Sequence, residues 1–184
     1  MLFHKEKLLA LFLVPKTGTT SANDFLKKFG WQSIMPEHQT PEYFVKCYPN
    51  LNKYQFFAYI RDPLKRFEST ILYLKSIDVT DVIDLTYDEC VNNFERLFKN
   101  DMGLFHPQVR WFRDSRVQAL DFDNYESELR KISGVADTSS YEIQKLKNTS
   151  FVEKGVVTQK VIDFVRSYYA EDYALARDRL GKEY

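Results

Sequence analysis

The chain is poor in cysteine, and neither sign of charge is in excess. Its two cysteines, Cys47 and Cys90, do not have the spacing of a metal motif and are too few for a disulfide framework. Lys and Arg number 26, as do Asp and Glu, so no overall field attracts nucleic acid or an anionic membrane. The scarcity of cysteine favours a reducing compartment, and we expect a cytoplasmic protein that does not bind nucleic acid.

Long hydrophobic runs are also missing. The longest run, residues 8–14, is far shorter than the ~20 residues that a membrane span requires, and no signal-peptide cleavage pattern accompanies it. No cluster of carboxylates calls for a metal ion, and no internal repeat or low-complexity segment is present. With 44% hydrophobic residues, the 184-residue chain is expected to form a single domain over residues 1–184, without a membrane span.

What the sequence does contain is an apolar run that leads into a short turn with a lysine and a glycine. Residues 8–14 are apolar without alternation, which predicts a strand buried on both faces of a parallel sheet. Apolar residues then recur with helical spacing over residues 22–29, up to Gly30. The predicted strand, turn and helix form a βα unit, whose helix N-terminus offers amide N–H groups and a favourable dipole to an anion.

Lys16 adds a positive charge at this turn. The turn differs from the Walker A pattern, because its lysine precedes Gly18 instead of standing directly before a hydroxyl residue. A short glycine motif is a weak signal, so an ordinary solvated turn in front of a capped helix stays open as an alternative.

A second informative stretch begins where residues 54–61 predict another buried strand. Asp62 is a good N-cap and Pro63 suits the first helical position, so a helix is expected to start there. Arg61 would lie at the carboxyl end of its strand, where open α/β sheets bind ligands. The apolar face of the helix leaves Arg66 and Ser69 outside it, and a capped helix with solvated arginines is the alternative.

Predicted strands and helices alternate along the rest of the chain. Residues 1–7 are interpreted as a polar lead-in, and the last predicted helix, capped by Thr158, is expected to pack on the sheet. The alternation predicts an α/β fold with three layers, α/β/α, around a central, mainly parallel sheet. Further strands are expected at 31–35 and 117–122, and further helices at 42–48, 87–99 and 125–132.

Two stretches together, PKTGTTS at residues 15–21 and RDPLKRFES at 61–69, resemble the motifs of the PAPS-dependent sulfotransferases. PAPS is 3'-phosphoadenosine 5'-phosphosulfate, and the pair of motifs is much more specific than either one. Three softer likenesses, at 105–108, 147–150 and 168–173, extend over nearly the whole chain, and the last is similar to the carbohydrate-type members. The resemblance implies a P-loop NTPase-like fold and transfer of a sulfuryl group from PAPS to a hydroxyl, in the first place that of a carbohydrate.

Carried over by position, the resemblance assigns the residues of the cofactor site. Lys16 would also stabilise the leaving group, and the in-line reaction would need no metal, because a sulfuryl group carries less charge than a phosphoryl group. The 5' end of PAPS would be held by Lys16, Thr17, Gly18, Thr19, Thr20 and Ser21, the 3'-phosphate by Arg61 and Ser69, and the loop near the cofactor would contribute Asn148 and Ser150.

The acceptor, a small molecule or a glycan, requires a base. His38 lies in a loop at the position where carbohydrate-type members often carry a catalytic histidine, and it is the expected base. Tyr43, Phe105 or Trp111 could stack on a sugar ring, although aromatic residues at this density more often form core. His106, Gln108, Arg110 and Arg113 are the weaker candidates for acceptor binding, and His106 is also the second candidate for the base.

Two other functions stay open at this point. In a P-loop small-molecule kinase or NTPase, Asp62 would hold magnesium at the end of its strand, but Pro63 and the position of the lysine count against this. A non-catalytic nucleotide-binding module would keep the turn and lack the base.

Overall fold

The computed structural model describes residues 1–77, 79, 82–100, 103–143 and 155–184. These residues form an α/β protein with a five-stranded mixed sheet, which confirms the α/β class of the prediction. They group into two compact units, one drawn from Met1–Arg61 and Gln108–Leu146, the other from Asp62–Pro107 and Lys147–Tyr184. Along these ranges, no helix has both the length and the apolar character that crossing a membrane would take.

The first unit contains the sheet, with strand order β3-β1-β2-β4-β5. Strands β2, β4 and β5 are parallel, whereas β1 pairs antiparallel with both β2 and β3. The expectation of a mainly parallel sheet is thereby corrected, because part of the supposed polar lead-in forms β1, where Leu2 is fully buried. The strands are β1 (Leu2–His4), β2 (Leu9–Phe12), β3 (Gln32–Ser33), β4 (Gln55–Ile60) and β5 (Val117–Asp121).

Both units contain α-helices, and three short 3-10 helices are also present among the described residues. The α-helices are α1 (Thr19–Lys27), α2 (Pro41–Cys47), α3 (Pro63–Ser76), α4 (Tyr87–Asn92), α5 (Phe94–Asn100), α6 (Tyr125–Ile132), α7 (Gln159–Tyr168) and α8 (Ala170–Leu180). The 3-10 helices are Pro49–Lys53, Gln108–Phe112 and Phe122–Asn124.

Helices α1 and α6 cover one face of the sheet. Leu11 and Phe57 from the strands are buried in one cluster with Phe25 of α1 and Leu129 of α6. On the opposite face, the ring centroid of Phe12 lies 6.0 Å from that of Phe44 in α2. Strand β2 is therefore buried on both faces, as its uninterrupted apolar sequence predicted.

The second unit is helical and has its own apolar cluster. Val161 and Val165 of α7 pack there with Phe67 of α3 and Phe94 of α5. The residues described in this cluster include none from a strand, and the packing of α7 on the sheet stays a prediction. The predicted helix over 87–99 is interrupted, at Asn93.

Arg66 was expected outside the apolar face of α3, and this is wrong as well. Its side chain is 1% exposed and donates to the carbonyl oxygens of Leu104 (3.1 Å) and His106 (2.9 Å). A guanidinium nitrogen lies 3.8 Å from a carboxylate oxygen of the fully buried Asp172. Burial of this charge is tolerated because an opposite charge and carbonyl acceptors replace water.

The predicted helix starts are confirmed at three capping residues. Asp62 accepts hydrogen bonds from the backbone N–H groups of Leu64 (2.8 Å) and Lys65 (3.4 Å). Thr86 forms a reciprocal capping box with Glu89, and Thr158 caps α7. Arg61 therefore follows β4 directly and precedes a firmly capped helix.

Candidate anion-binding site

The turn between β2 and α1 lies at the carboxyl ends of the parallel strands. The pairing of β2 with β4 runs from Leu9 opposite Gln55 to Phe12 opposite Ala58, so the segments that follow these strands emerge at the same edge. Strand β5 is parallel to β4 and ends at this edge too, just before α6. This edge is where open α/β sheets bind ligands.

Two left-handed residues give the turn its shape. Lys16 has a φ of 63° and Gly18 a φ of 76°. Between them, Thr17 is 2% exposed and its hydroxyl donates to the carbonyl oxygen of Val14 at 2.8 Å. Gly18 is the N-cap of α1, where the N–H groups of Thr19 and Thr20 have no acceptor in a preceding turn. The chain thus turns sharply from strand to helix and presents a helix N-terminus at the edge of the sheet.

Gly18 is held against Tyr125 from the start of α6. The hydroxyl of Tyr125 donates to the carbonyl oxygen of Gly18 at 2.7 Å, and Tyr59 donates to the carbonyl oxygen of Tyr125 at 3.1 Å. A Cβ atom on residue 18 would lie 2.7 Å from Cε2 and 2.9 Å from Cζ of Tyr125. Glycine is therefore required here both by its φ and by this close approach.

Arg61 reaches the same turn from the end of β4. Its Nη1 donates to the carbonyl oxygen of Lys16 at 2.7 Å, and its guanidinium carbon lies 4.8 Å from the ring centroid of Phe122. The side chain of Gln108 bonds both backbone groups of Arg61: Oε1 accepts from its N–H (3.0 Å), and Nε2 donates to its carbonyl (2.8 Å). The structure thus brings together Lys16 and Arg61, which come from the two motifs.

The electrostatics of the turn reflect these two neighbouring cations. The pKa of Lys16 is lowered to about 8, in the first place by burial and in addition by the positive charge of Arg61. An anion bound beside them would favour the charged form of the lysine and would so be favoured in return.

His38 contacts the same strand end. Its Nδ1 lies 2.7 Å from the carbonyl oxygen of Leu13, the residue directly after β2. Because a carbonyl can only accept, Nδ1 carries the proton, and in the neutral ring Nε2 then keeps the lone pair. Gln39, the residue after His38, is held by the buried Trp111, whose Nε1 donates to the carbonyl oxygen of Gln39 at 3.1 Å.

The four residues predicted to bind the acceptor have different surroundings in the structure. Gln108 is fully buried, and both ends of its amide bond Arg61, so we revise its role from acceptor contact to support of Arg61. Arg110 is partly buried and Arg113 is exposed. His106 belongs to the second unit, where its ring centroid lies 5.1 Å from that of Phe98.

The remaining predicted residues come from other segments of the chain. Ser69 is partly buried on α3 of the second unit. Asn148 and Ser150 fall outside the residues that the structure describes. Of the possible sugar-stacking residues, Phe105 and Trp111 are buried in core, whereas Tyr43 is 40% exposed.

Phe122 and Tyr125 are functional candidates that the sequence reasoning missed. Phe122 directly follows β5 at the carboxyl edge of the sheet, and Tyr125 begins α6 after the short 3-10 helix Phe122–Asn124. The predicted strand at 117–122 was the available signal, because the residues after every parallel strand of such a sheet are candidates for its ligand site.

Comparisons with known proteins leave the family undetermined: no family model, no curated protein and no solved structure matches the chain.

Replacement of Gly18 by alanine should destabilise the protein more than replacement of Gly181. Gly181 also has a positive φ, 66°, but nothing lies within 4 Å of the position of its Cβ. Gly181→Ala should therefore lower the free energy of unfolding by about 1 kcal/mol, for the backbone alone. Gly18→Ala should lower it by a further ~1–3 kcal/mol because of the overlap with Tyr125. Urea unfolding measures both values, and equal losses would contradict the close approach.

The ammonium of Lys16 should titrate with a midpoint near pH 8. Competitive acetylation followed by mass spectrometry measures this midpoint, and the reaction of the exposed Lys46 in the same sample is the internal control. Arg61→Ala should raise the midpoint only in part, since burial is the larger cause. The lysine is charged below the midpoint, so affinity for an anion should fall as the pH rises through 8. A Lys16 midpoint at the ordinary lysine value, about 10.4, would contradict the environment described for Lys16.

Proposed function

We propose that the protein is a PAPS-dependent sulfotransferase that acts on a hydroxyl group of a carbohydrate. The observation that carries this proposal is the meeting of Lys16, Arg61 and the N-terminus of α1 at one edge of the sheet. Cationic side chains and helix N–H groups are the donors that phosphate and sulfate groups prefer. The two motifs that supply these donors are the ones that together resemble those of the PAPS-dependent sulfotransferases.

The residues of the first unit suit the 5' end of PAPS. Lys16 supplies a cation, Thr19 and Thr20 supply backbone N–H groups, and Gly18 keeps the turn free of a side chain at the N-cap. Thr17 is turned inward to Val14, so its part is to shape the turn. We also propose that the fold is a three-layer, P-loop-like domain, which the strand, turn and helix of the first βα unit support.

The chemistry asks little covalent help from the protein. When bound, PAPS supplies a sulfuryl group, and its transfer leaves 3'-phosphoadenosine 5'-phosphate. Lys16 would stabilise the negative charge on the leaving phosphate, together with the N–H groups of α1. His38 would accept the proton of the acceptor hydroxyl at Nε2, while the bond from Nδ1 to Leu13 holds the ring.

The contacts of Asp62 count against the kinase alternative. Its carboxylate accepts two backbone hydrogen bonds at the start of α3, and it is thereby committed to capping that helix. A Walker B aspartate would instead have to serve a magnesium ion. The non-catalytic alternative differs from the proposal only in the absence of transfer, so activity is what separates the two.

Calorimetric titration should show metal-independent binding of 3'-phosphoadenosine 5'-phosphate. Lys16→Ala and Arg61→Ala should each weaken this binding by about tenfold or more, since each removes a charge-assisted contact. The exposed Lys46→Ala is the matched control and should bind like the unmodified protein. Binding of ATP only in the presence of magnesium, with no affinity for the bisphosphate, would overturn the proposal in favour of a kinase.

His38→Gln should abolish most transfer without weakening nucleotide binding. The assay follows radiolabelled sulfate from PAPS onto a panel of desulfated polysaccharides and simple sugars, alongside the calorimetric titration. Loss of a general base typically costs about 10²–10⁴-fold in rate. His106→Gln is the matched variant, because it tests the second histidine. Full activity of His38→Gln would remove this residue from the role, and nucleotide binding without transfer to any acceptor would favour the non-catalytic module.

A further inference from the structure

The side-chain amide of Gln108 makes the two backbone hydrogen bonds to Arg61 that a neighbouring strand would otherwise make. Oε1 accepts from the Arg61 N–H at 3.0 Å, and Nε2 donates to the Arg61 carbonyl at 2.8 Å. The side chain of Gln108 is fully buried, so its amide is shielded from water and depends on Arg61 for these two bonds. A buried amide is costly unless its donor and acceptor are both used, and here one residue uses both.

Arg61 lies just beyond the last residues of β4 that pair with a neighbouring strand. The ladder between β4 and β5 ends with Ile60 opposite Asp121, and the ladder between β2 and β4 ends earlier, with Phe12 opposite Ala58. The backbone of Arg61 lies past the last pair of either ladder. The two bonds from Gln108 therefore extend the fixed part of the chain by the one residue whose side chain reaches the turn.

The side chain of Arg61 in turn fixes Lys16. Nη1 of Arg61 donates to the Lys16 carbonyl at 2.7 Å, and the guanidinium group lies over the ring of Phe122 at 4.8 Å. Lys16 has a φ of 63°, a left-handed conformation that a non-glycine residue keeps only where its surroundings impose it. A bond to its own carbonyl is such a constraint.

We propose that Gln108 is a positioning residue of the anion site, which holds the backbone of Arg61 so that the Arg61 side chain keeps Lys16 in its left-handed conformation. Gln108 itself touches no ligand in this arrangement. The inference rests on the proposed function only for the identity of the natural anion, since the contacts concern the protein alone.

The test replaces Gln108 by methionine, which has a similar length and neither donates nor accepts strongly. The first readout needs no ligand: the midpoint of Lys16 labelling should rise from about 8 toward the ordinary value, because a displaced Arg61 repels the ammonium less. The second readout is calorimetric affinity for inorganic pyrophosphate, which should fall about tenfold, as expected for loss of a charge-assisted contact. The exposed Gln118→Met on β5 is the matched control for both readouts.

A double-variant cycle shows whether Gln108 acts through Arg61. In an Arg61→Ala background, Gln108→Met should leave the Lys16 midpoint and the pyrophosphate affinity where Arg61→Ala alone puts them. Additive effects would overturn the positioning role and point to a direct contact with the anion. An unchanged Lys16 midpoint in a folded Gln108→Met protein would overturn it as well, since displacement of Arg61 must reduce its repulsion of the ammonium.

Hydrogen exchange of the unmodified protein covers the case in which Gln108→Met does not fold. The amide of Arg61 should exchange slowly because Gln108 accepts from it in a buried position. Exchange of this amide as fast as that of an exposed loop would overturn the inference. Absence of 3'-phosphoadenosine 5'-phosphate binding would contradict the proposed function and leave the Lys16 and exchange results intact, so the two failures are distinguishable.

Discussion

The parallel pairing of β2 with β4 is the constraint on which the candidate site depends. It brings the ends of two strands to one edge of the sheet, so that Lys16 and Arg61, 45 residues apart in the chain, come within hydrogen-bonding reach. The guanidinium of Arg61 donates to the backbone carbonyl oxygen of Lys16 and not to its side chain, so the two residues can approach although both side chains are cationic. Burial of Lys16, together with the remaining repulsion from Arg61, lowers the pKa of the lysine and makes this edge receptive to an anion.

A second constraint is stored in the backbone of the turn. Lys16 and Gly18 are both left-handed, but only the glycine adopts that conformation without a steric cost. The strained lysine is stabilised by the bond from Arg61, and the glycine by the hydroxyl of Tyr125. The turn is therefore set before any ligand arrives, and preorganised donors are the ones that stabilise charge most effectively.

Local signals made much of the fold predictable, and distant contacts account for what was not. Strand β2 and the start of α3 were readable because an apolar run, an Asp62 cap and Pro63 act on neighbouring residues. The burial of Arg66 depends on Asp172, more than a hundred positions away in the chain. No residue near Arg66 in the sequence indicates this contact. The same holds at the site: the motifs pointed to Lys16 and Arg61, whereas the support from Gln108 and Tyr125 follows only from the tertiary arrangement.

The position of His38 connects the proposed base to the same strand end as the proposed anion site. Leu13, whose carbonyl oxygen fixes the His38 ring, stands three residues before Lys16, in the segment that leads from β2 into the turn. His38, the proposed base, and Lys16, the proposed leaving-group cation, are both attached to the end of the buried strand β2. Their separation is therefore kept when the surrounding loops move. In-line transfer depends on the alignment of attacking and leaving oxygens, so this shared attachment is where the proposed chemistry gains most from the fold.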